Sequence, residues 1–183
     1  RNNTILRTTS DNIYPFSLDP TTMPDVILNN SFPVRSDGKY NGIVVRGGTI
    51  SQSITWPVPP VGYCYRIFNS QSITVQGNPQ PVFTLQAGTI SKMWDAAAII
   101  VGGNGANQFG KLIAQGVTFT SAQDDTVGDT DGDGTASTPG PNNWAGLWFY
   151  NFADDSSLVK NCLMRYGGKN AAVIYTESST PRI

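Results

Sequence analysis

The chain of 183 residues contains no histidine. That removes the commonest general base near neutral pH, any Ser-His-Asp or Cys-His arrangement, and nearly all zinc sites. Glutamate is almost missing: twelve of the thirteen acidic residues are Asp and the other is Glu177. Glu suits helix interiors, whereas Asp competes with the helical backbone and favours turns, caps and calcium loops. Charge of either sign is scarce, at 14% of residues with a net of −1. This near-neutral balance leaves no footprint for nucleic acid or an anionic membrane surface, so neither is expected as a partner. No apolar run approaches the roughly 18 residues of a spanning helix, and no membrane span is expected. The two cysteines, Cys64 and Cys162, sit at no metal-ligand spacing. One disulfide and two buried thiols both remain open, with the thiols favoured because free cysteine packs as a small hydrophobe. A chain opening on Arg1, with neither initiator Met nor signal peptide, is expected of a processed or excised product.

At 39% hydrophobic, the sequence is too apolar for a disordered polyelectrolyte, and its length fits one domain or a segment of a repeat array. Gly (19) and Pro (12) make up about one residue in six, the composition of a turn-rich, helix-poor chain. Short apolar runs recur at 72–75, 82–85, 98–101, 111–114, 117–120, 146–149, 157–159, 162–166 and 172–175. They are β-branched or aromatic, and each is ended by a polar turn or by pairs such as Gly102-Gly103, Gln115-Gly116 and Gly167-Gly168. Gly-Thr-Ile-Ser appears at both 48–51 and 88–91. Short strands with no helices between them predict an all-β fold. A sandwich would need longer strands and hairpin turns, for which Asn41-Gly42 is the one good candidate. A parallel β-helix needs short strands, tight bends and side-chain ladders, and 48 Ser, Thr and Asn residues suit ladders at bends. The repeats favour the β-helix, of about six to nine rungs. The most helix-like stretch, residues 93–98, runs into a β-like segment and is read as a bend.

Val101-Gly102-Gly103, the segment Gly110–Gly116, Val117-Thr118-Phe119-Thr120-Ser121, Trp144–Phe149 and Asn161–Gly168 resemble successive rungs of a known family. It is the secreted bacterial right-handed parallel β-helix repeat proteins, of pectin-lyase-like fold and cell-surface or adhesin type. Phe83–Thr89 is similar to the rung that commonly precedes these, and the resemblance covers roughly residues 72–175, with residues 1–60 matching only loosely. It implies a right-handed parallel β-helix, an extracellular or cell-surface location and a modular role in adhesion or glycan contact, often without catalysis. Pectin-degrading lyases share the architecture, so fold does not decide function. The expected organisation is an irregular N-terminal cap, arm or set of first rungs at 1–60, then a β-helix at 61–183. An acidic loop inserted at 123–143 would project from a bend between rungs.

That loop holds the strongest local signal. Asp124 and Asp125 precede Asp129-Thr130-Asp131-Gly132-Asp133-Gly134, where alternate carboxylates with Gly at the sixth position match the opening of an EF-hand-like calcium loop. The twelfth position is Gly140, so the bidentate Glu is missing. Asp124, Asp125, Asp129, Asp131 and Asp133 are the candidate metal ligands, Ca2+ the expected cofactor, and a solvated acidic loop the plain alternative. Asp154-Asp155 is read as a turn cap. Around Trp148 and Tyr150, period-two alternation puts Leu147 and Phe149 on the opposite face. With Leu147 and Phe149 in the core, Trp148 and Tyr150 become the candidate ligand-binding residues. No residue is assigned a catalytic role.

The expected function is a non-catalytic, calcium-stabilised structural or adhesive protein, able to assemble end to end into fibres. Its partners would be further copies of itself or a surface glycan. The alternatives are a carbohydrate-binding module, or a polysaccharide lyase acting on acidic glycans with Lys160, Arg165 and Lys169 as candidate bases.

Overall fold

A computed structural model describes residues 2–7, 14–170 and 172–183 of the chain. The early strands are two-residue pieces: β1 (Asn3–Thr4), β2 (Ser17–Leu18) and β3 (Asn30–Ser31). Then come β4 (Gly42–Val45), β5 (Gly48–Ile50), β6 (Ile54–Trp56), β7 (Cys64–Ile67), β8 (Ile73–Val75), β9 (Val82–Leu85), β10 (Ile90–Met93) and β11 (Ala98–Val101). The last are β12 (Lys111–Gln115), β13 (Thr118–Ser121), β14 (Gly146–Phe149), β15 (Leu158–Lys160), β16 (Leu163–Met164) and β17 (Ile174–Thr176). The fold is nearly all-β.

From β4 onward each strand pairs with the strand three places further along. The first sheet runs β2-β4-β7-β10-β13-β16, the second β5-β8-β11-β14-β17 and the third β6-β9-β12-β15. Every pairing between these strands is parallel. The sheets hold six, five and four strands, so the first reaches the lower end of the six to nine rungs expected from sequence and the other two fall below it. Asn41-Gly42 makes no hairpin: the Asn41 N–H donates to the Asp129 carbonyl and Gly42 pairs in parallel with Cys64. The two Gly-Thr-Ile-Ser segments are not equivalent, since one forms β5 in the second sheet and the other enters β10 in the first. The three-sheet pattern is already present before residue 60, in β4, β5 and β6.

Register turns sequence alternation into a core. Ile73, Ile99 and Leu147 align on the inner face of the second sheet, as do Ile50, Val75, Val101 and Phe149. In the third sheet Trp56, Leu85, Ala114 and Val159 form the matching row. These side chains are buried, and each large one contributes roughly 1.5–3 kcal/mol by leaving water. The Trp56 ring packs edgewise on Phe83 at 4.9 Å and tilted against Tyr65 at 4.8 Å, while its Nε1–H donates to the Pro20 carbonyl.

The one α-helix among the described residues, α1 (Met23–Leu28), was not foreseen. Pro24 falls in its first turn, where a missing N–H costs nothing, and Met23 and Ile27 reach the core. Residues 93–98 form a turn between β10 and β11. Both cysteines are free thiols, Cys64 buried and Cys162 half-buried.

The acidic loop does not project. It lies back over the outer face of the first sheet, tied down by four strand or arm residues. Asn41 N–H donates to Asp129 O at 2.9 Å, Cys64 Sγ to Val127 O at 3.1 Å, Tyr14 Oη to Thr130 O at 2.9 Å, and Lys92 Nζ to Gly128 O. Gly132 makes the close approach possible, because a Cβ there would sit 1.7 Å from Cζ of Tyr40.

Candidate functional site

The outward row of the first sheet runs Val44, Arg66, Lys92, Thr120, with Arg165 continuing it just beyond β16. Outward positions of a sheet ordinarily meet water, but here the loop covers them. Arg66 is 7% exposed and Lys92 fully buried. Arg165 is 27% exposed and pairs with the loop residue Asp124, so three cations face a loop carrying five carboxylates.

The carboxylates divide into different roles. Asp124 is fully buried and committed to the sheet: it accepts Thr120 Oγ1–H and Thr126 Oγ1–H at 2.5 Å each and pairs with Arg165 Nη2 at 2.7 Å. Burial opposes its charge, but these hydroxyls and the Arg165 and Lys92 charges outweigh it and hold its carboxyl below the usual range. Asp129 organises the loop itself. Its carboxylate accepts the N–H groups of Asp131 at 3.1 Å, Gly132 at 2.6 Å and Gly134 at 2.8 Å. Gly134, the sixth position of the calcium-like pattern, takes φ of +79°, the conformation that position needs.

Asp125, Asp129 and Asp131 converge, each offering one carboxylate oxygen within 4.8 Å of the others. Both oxygens of Asp125 and Oδ1 of Asp131 are shut from solvent with no hydrogen-bond partner. Burial and then the neighbouring Asp131 charge push the Asp125 carboxyl up to about 6. Asp131 is raised as well, by burial and by Asp133 and Asp129. Burial in turn lowers Lys92, although the surrounding thiol and carboxylates pull it back up. Calcium binds oxygens at roughly 2.3–2.6 Å, so opposite ligands lie no more than about 5 Å apart, and the triad meets that spacing. Asp133 is exposed and outside the triad. Of the five candidate ligands, three come together, one anchors the loop and one faces solvent.

Trp148 and Tyr150 lie on the outer face of the second sheet, half-buried, with Leu147 and Phe149 buried on the inner face. With Tyr175, Glu177 and Asn170 they line a cavity of about 200 Å³. The sequence reading missed Tyr175 and Glu177. They repeat the two-residue spacing of Trp148 and Tyr150 on the next strand, with a carboxylate in place of the second ring, and their alignment with Trp148 and Tyr150 becomes visible only through register.

The candidate lyase bases do not converge. Lys160 is exposed at the end of β15, Arg165 is paired beneath the loop, and Lys169 pairs with Asp95. Asp154 caps a turn, accepting Ser156 N–H at 2.7 Å and Gln80 Nε2–H at 2.7 Å. The Ser156 and Gln80 hydrogen bonds pull its carboxyl down to about 2. Among the described residues, no helix is long and apolar enough to cross a membrane. Compared with known protein families, curated proteins and solved structures, the chain matches none.

Proposed function

We propose that the three sheets are the faces of a right-handed parallel β-helix, and that the protein is a non-catalytic structural or adhesive β-helix of the extracellular or cell-surface kind. A calcium ion held by Asp125, Asp129 and Asp131 fastens its acidic loop. The constant offset of three strands between partners supports the solenoid, and the right-handed sense is that of nearly all parallel crossovers.

The observation that carries the functional reading is where the charge is placed. Arg66 and Lys92 are buried under the loop and Arg165 is partly so; Lys92 and Arg165 bind the loop directly and Arg66 through Tyr14, holding a segment down instead of lining a cleft. The unpartnered oxygens of Asp125 and Asp131 are the ones a calcium ion would satisfy. A lyase would instead need a base and a cation converging on one open groove. For self-association, β16 and β17 each pair on one side only among the described residues, and such edges accept another parallel strand. A second copy is the proposed partner, with a surface glycan as the other.

The test is thermal unfolding in calcium, in magnesium and in chelator, with electron microscopy of the same samples. Calcium should raise the melting temperature more than magnesium does, reduce cleavage of the loop by protease, and favour end-to-end particles or filaments. An unchanged melting temperature and unchanged loop cleavage in chelator would end the calcium assignment. A monodisperse monomer without filaments would end the assembly assignment.

A further inference from the structure

The outer face of the second sheet carries a feature that neither the loop nor end-to-end stacking uses. The outward row begins Thr49, Thr74, Ile100 and then turns aromatic at Trp148 and Tyr175. Thr at the first two positions shows that the sheet does not need an aromatic there. Trp148 and Tyr175 are partners in register, and two residues further along the chain, one past each strand end, stand Tyr150 and Glu177. Because side chains alternate with period two, all four project from the same face as a two-by-two array.

The rings are not coplanar. Tyr150 meets Trp148 at 6.5 Å between centroids with planes at 70°, and meets Tyr175 at 6.2 Å and 72°. A pyranose ring stacks best on a flat, open aromatic platform. Planes this steep act instead as walls around a rounded group. The fourth corner is a carboxylate: Glu177 lines the cavity and accepts the Tyr175 hydroxyl at 3.1 Å. The cavity lining contains no Lys or Arg. Aromatic faces are negative at their centres, so three rings and one carboxylate attract a cation and repel an acidic sugar.

We propose that the cup formed by Trp148, Tyr150, Tyr175 and Glu177 binds a compact organic cation, a quaternary or fully methylated ammonium group. The cavity of about 200 Å³ accommodates such a head group, and the Asn170 side chain at its margin can hydrogen-bond a substituent carried on it. Binding here depends on neither calcium nor assembly, so its success or failure is separate from the proposed function.

The experiment titrates choline into the intact chain, following tryptophan fluorescence and heat. Parallel titrations use 3,3-dimethylbutanol, in which carbon replaces the charged nitrogen, and methyl glucopyranoside. Saturable choline binding is expected, with the neutral isostere at least about fivefold weaker. Glu177→Gln keeps an acceptor for the Tyr175 hydroxyl and should weaken choline severalfold while leaving the melting temperature unchanged. Tyr150→Ala should remove most of the binding. Equal affinity for the neutral isostere, saturation by the glucoside alone, or no saturable choline binding would each overturn the proposal.

Discussion

The first and third sheets are built from strands of similar length in the same parallel arrangement, yet their outer faces differ. In the third sheet β9 and β12 alternate between buried and half-buried positions, as expected of strands with one wet face. In the first sheet all four residues of β4 and of β7 are buried, including Gly42, Val44, Cys64 and Arg66 on the outer side. The difference comes from the loop at 123–143, which covers one face and leaves the other open. A strand's burial is therefore set by what a distant segment lays over it. Charged residues placed outward on a covered sheet become partners for that segment instead of a solvated surface.

Four substitutions break or sharpen this contrast. The largest loss is expected at the shared core, where Phe83→Ala should cost about 3–5 kcal/mol in denaturant unfolding irrespective of calcium. Asp124→Ala comes next. It leaves Arg165 without its partner beneath the loop and should cost about 3 kcal/mol, detected as a lower denaturant midpoint.

Asp125→Asn should behave differently, because its carboxyl is raised in the folded protein to about 6 from an ordinary value of 3.8. The folded state holds that proton more tightly, so the contribution to stability is full below pH 3.8 and is lost as pH rises through about 6. In chelator, stability should thus fall between those pH values. Asp125→Asn should flatten most of that slope, the remainder coming from Asp131, gain on the order of 1 kcal/mol at pH 7 after allowance for solvent screening, and abolish the calcium response. Melting curves across pH check all three. The smallest effect belongs to the open face: Lys111→Ala on β12 should change stability by no more than about 0.5 kcal/mol, with calcium making no difference.

Much of the strand layout was legible. The apolar runs at 72–75, 82–85, 98–101, 111–114, 117–120 and 146–149 coincide with β8, β9, β11, β12, β13 and β14 to within a residue. Among the strands after residue 60, β7 and β10 were not found, and for one physical reason. Cys64–Ile67 carries Arg66 outward, and Ile90–Met93 carries Lys92 outward and Ser91 inward, so neither shows a clean polar/apolar period. Lys92 inside an otherwise strand-like segment was the available signal that something covers it.

At the acidic loop, spacing singled out the carboxylates but could not divide their roles. Asp124 and Asp125 are neighbours in sequence, yet one turns to Arg165, Thr120 and Thr126 while the other turns to Asp129 and Asp131. Arg66 and Lys92 are contributed by strands about forty to sixty residues away, and only parallel register lines them up beneath the loop. The same limit hid Tyr175 and Glu177 from a reading that had reached Trp148 and Tyr150.

The two thiols give the most direct measurement of whether the loop covers the first sheet. Cys64 lies beneath it, 2% exposed, donating to the Val127 carbonyl, and burial pushes its thiol up to about 11. Cys162 is half-buried and lies outside the loop's cover. Labelling the native protein with a thiol-specific reagent, with and without calcium, and assigning the modified cysteine by mass spectrometry compares the two directly. Prompt reaction at Cys162 and slow reaction at Cys64, slowed further by calcium, is the expected result. Equal rates at the two cysteines, indifferent to calcium, would contradict a loop fastened over the sheet.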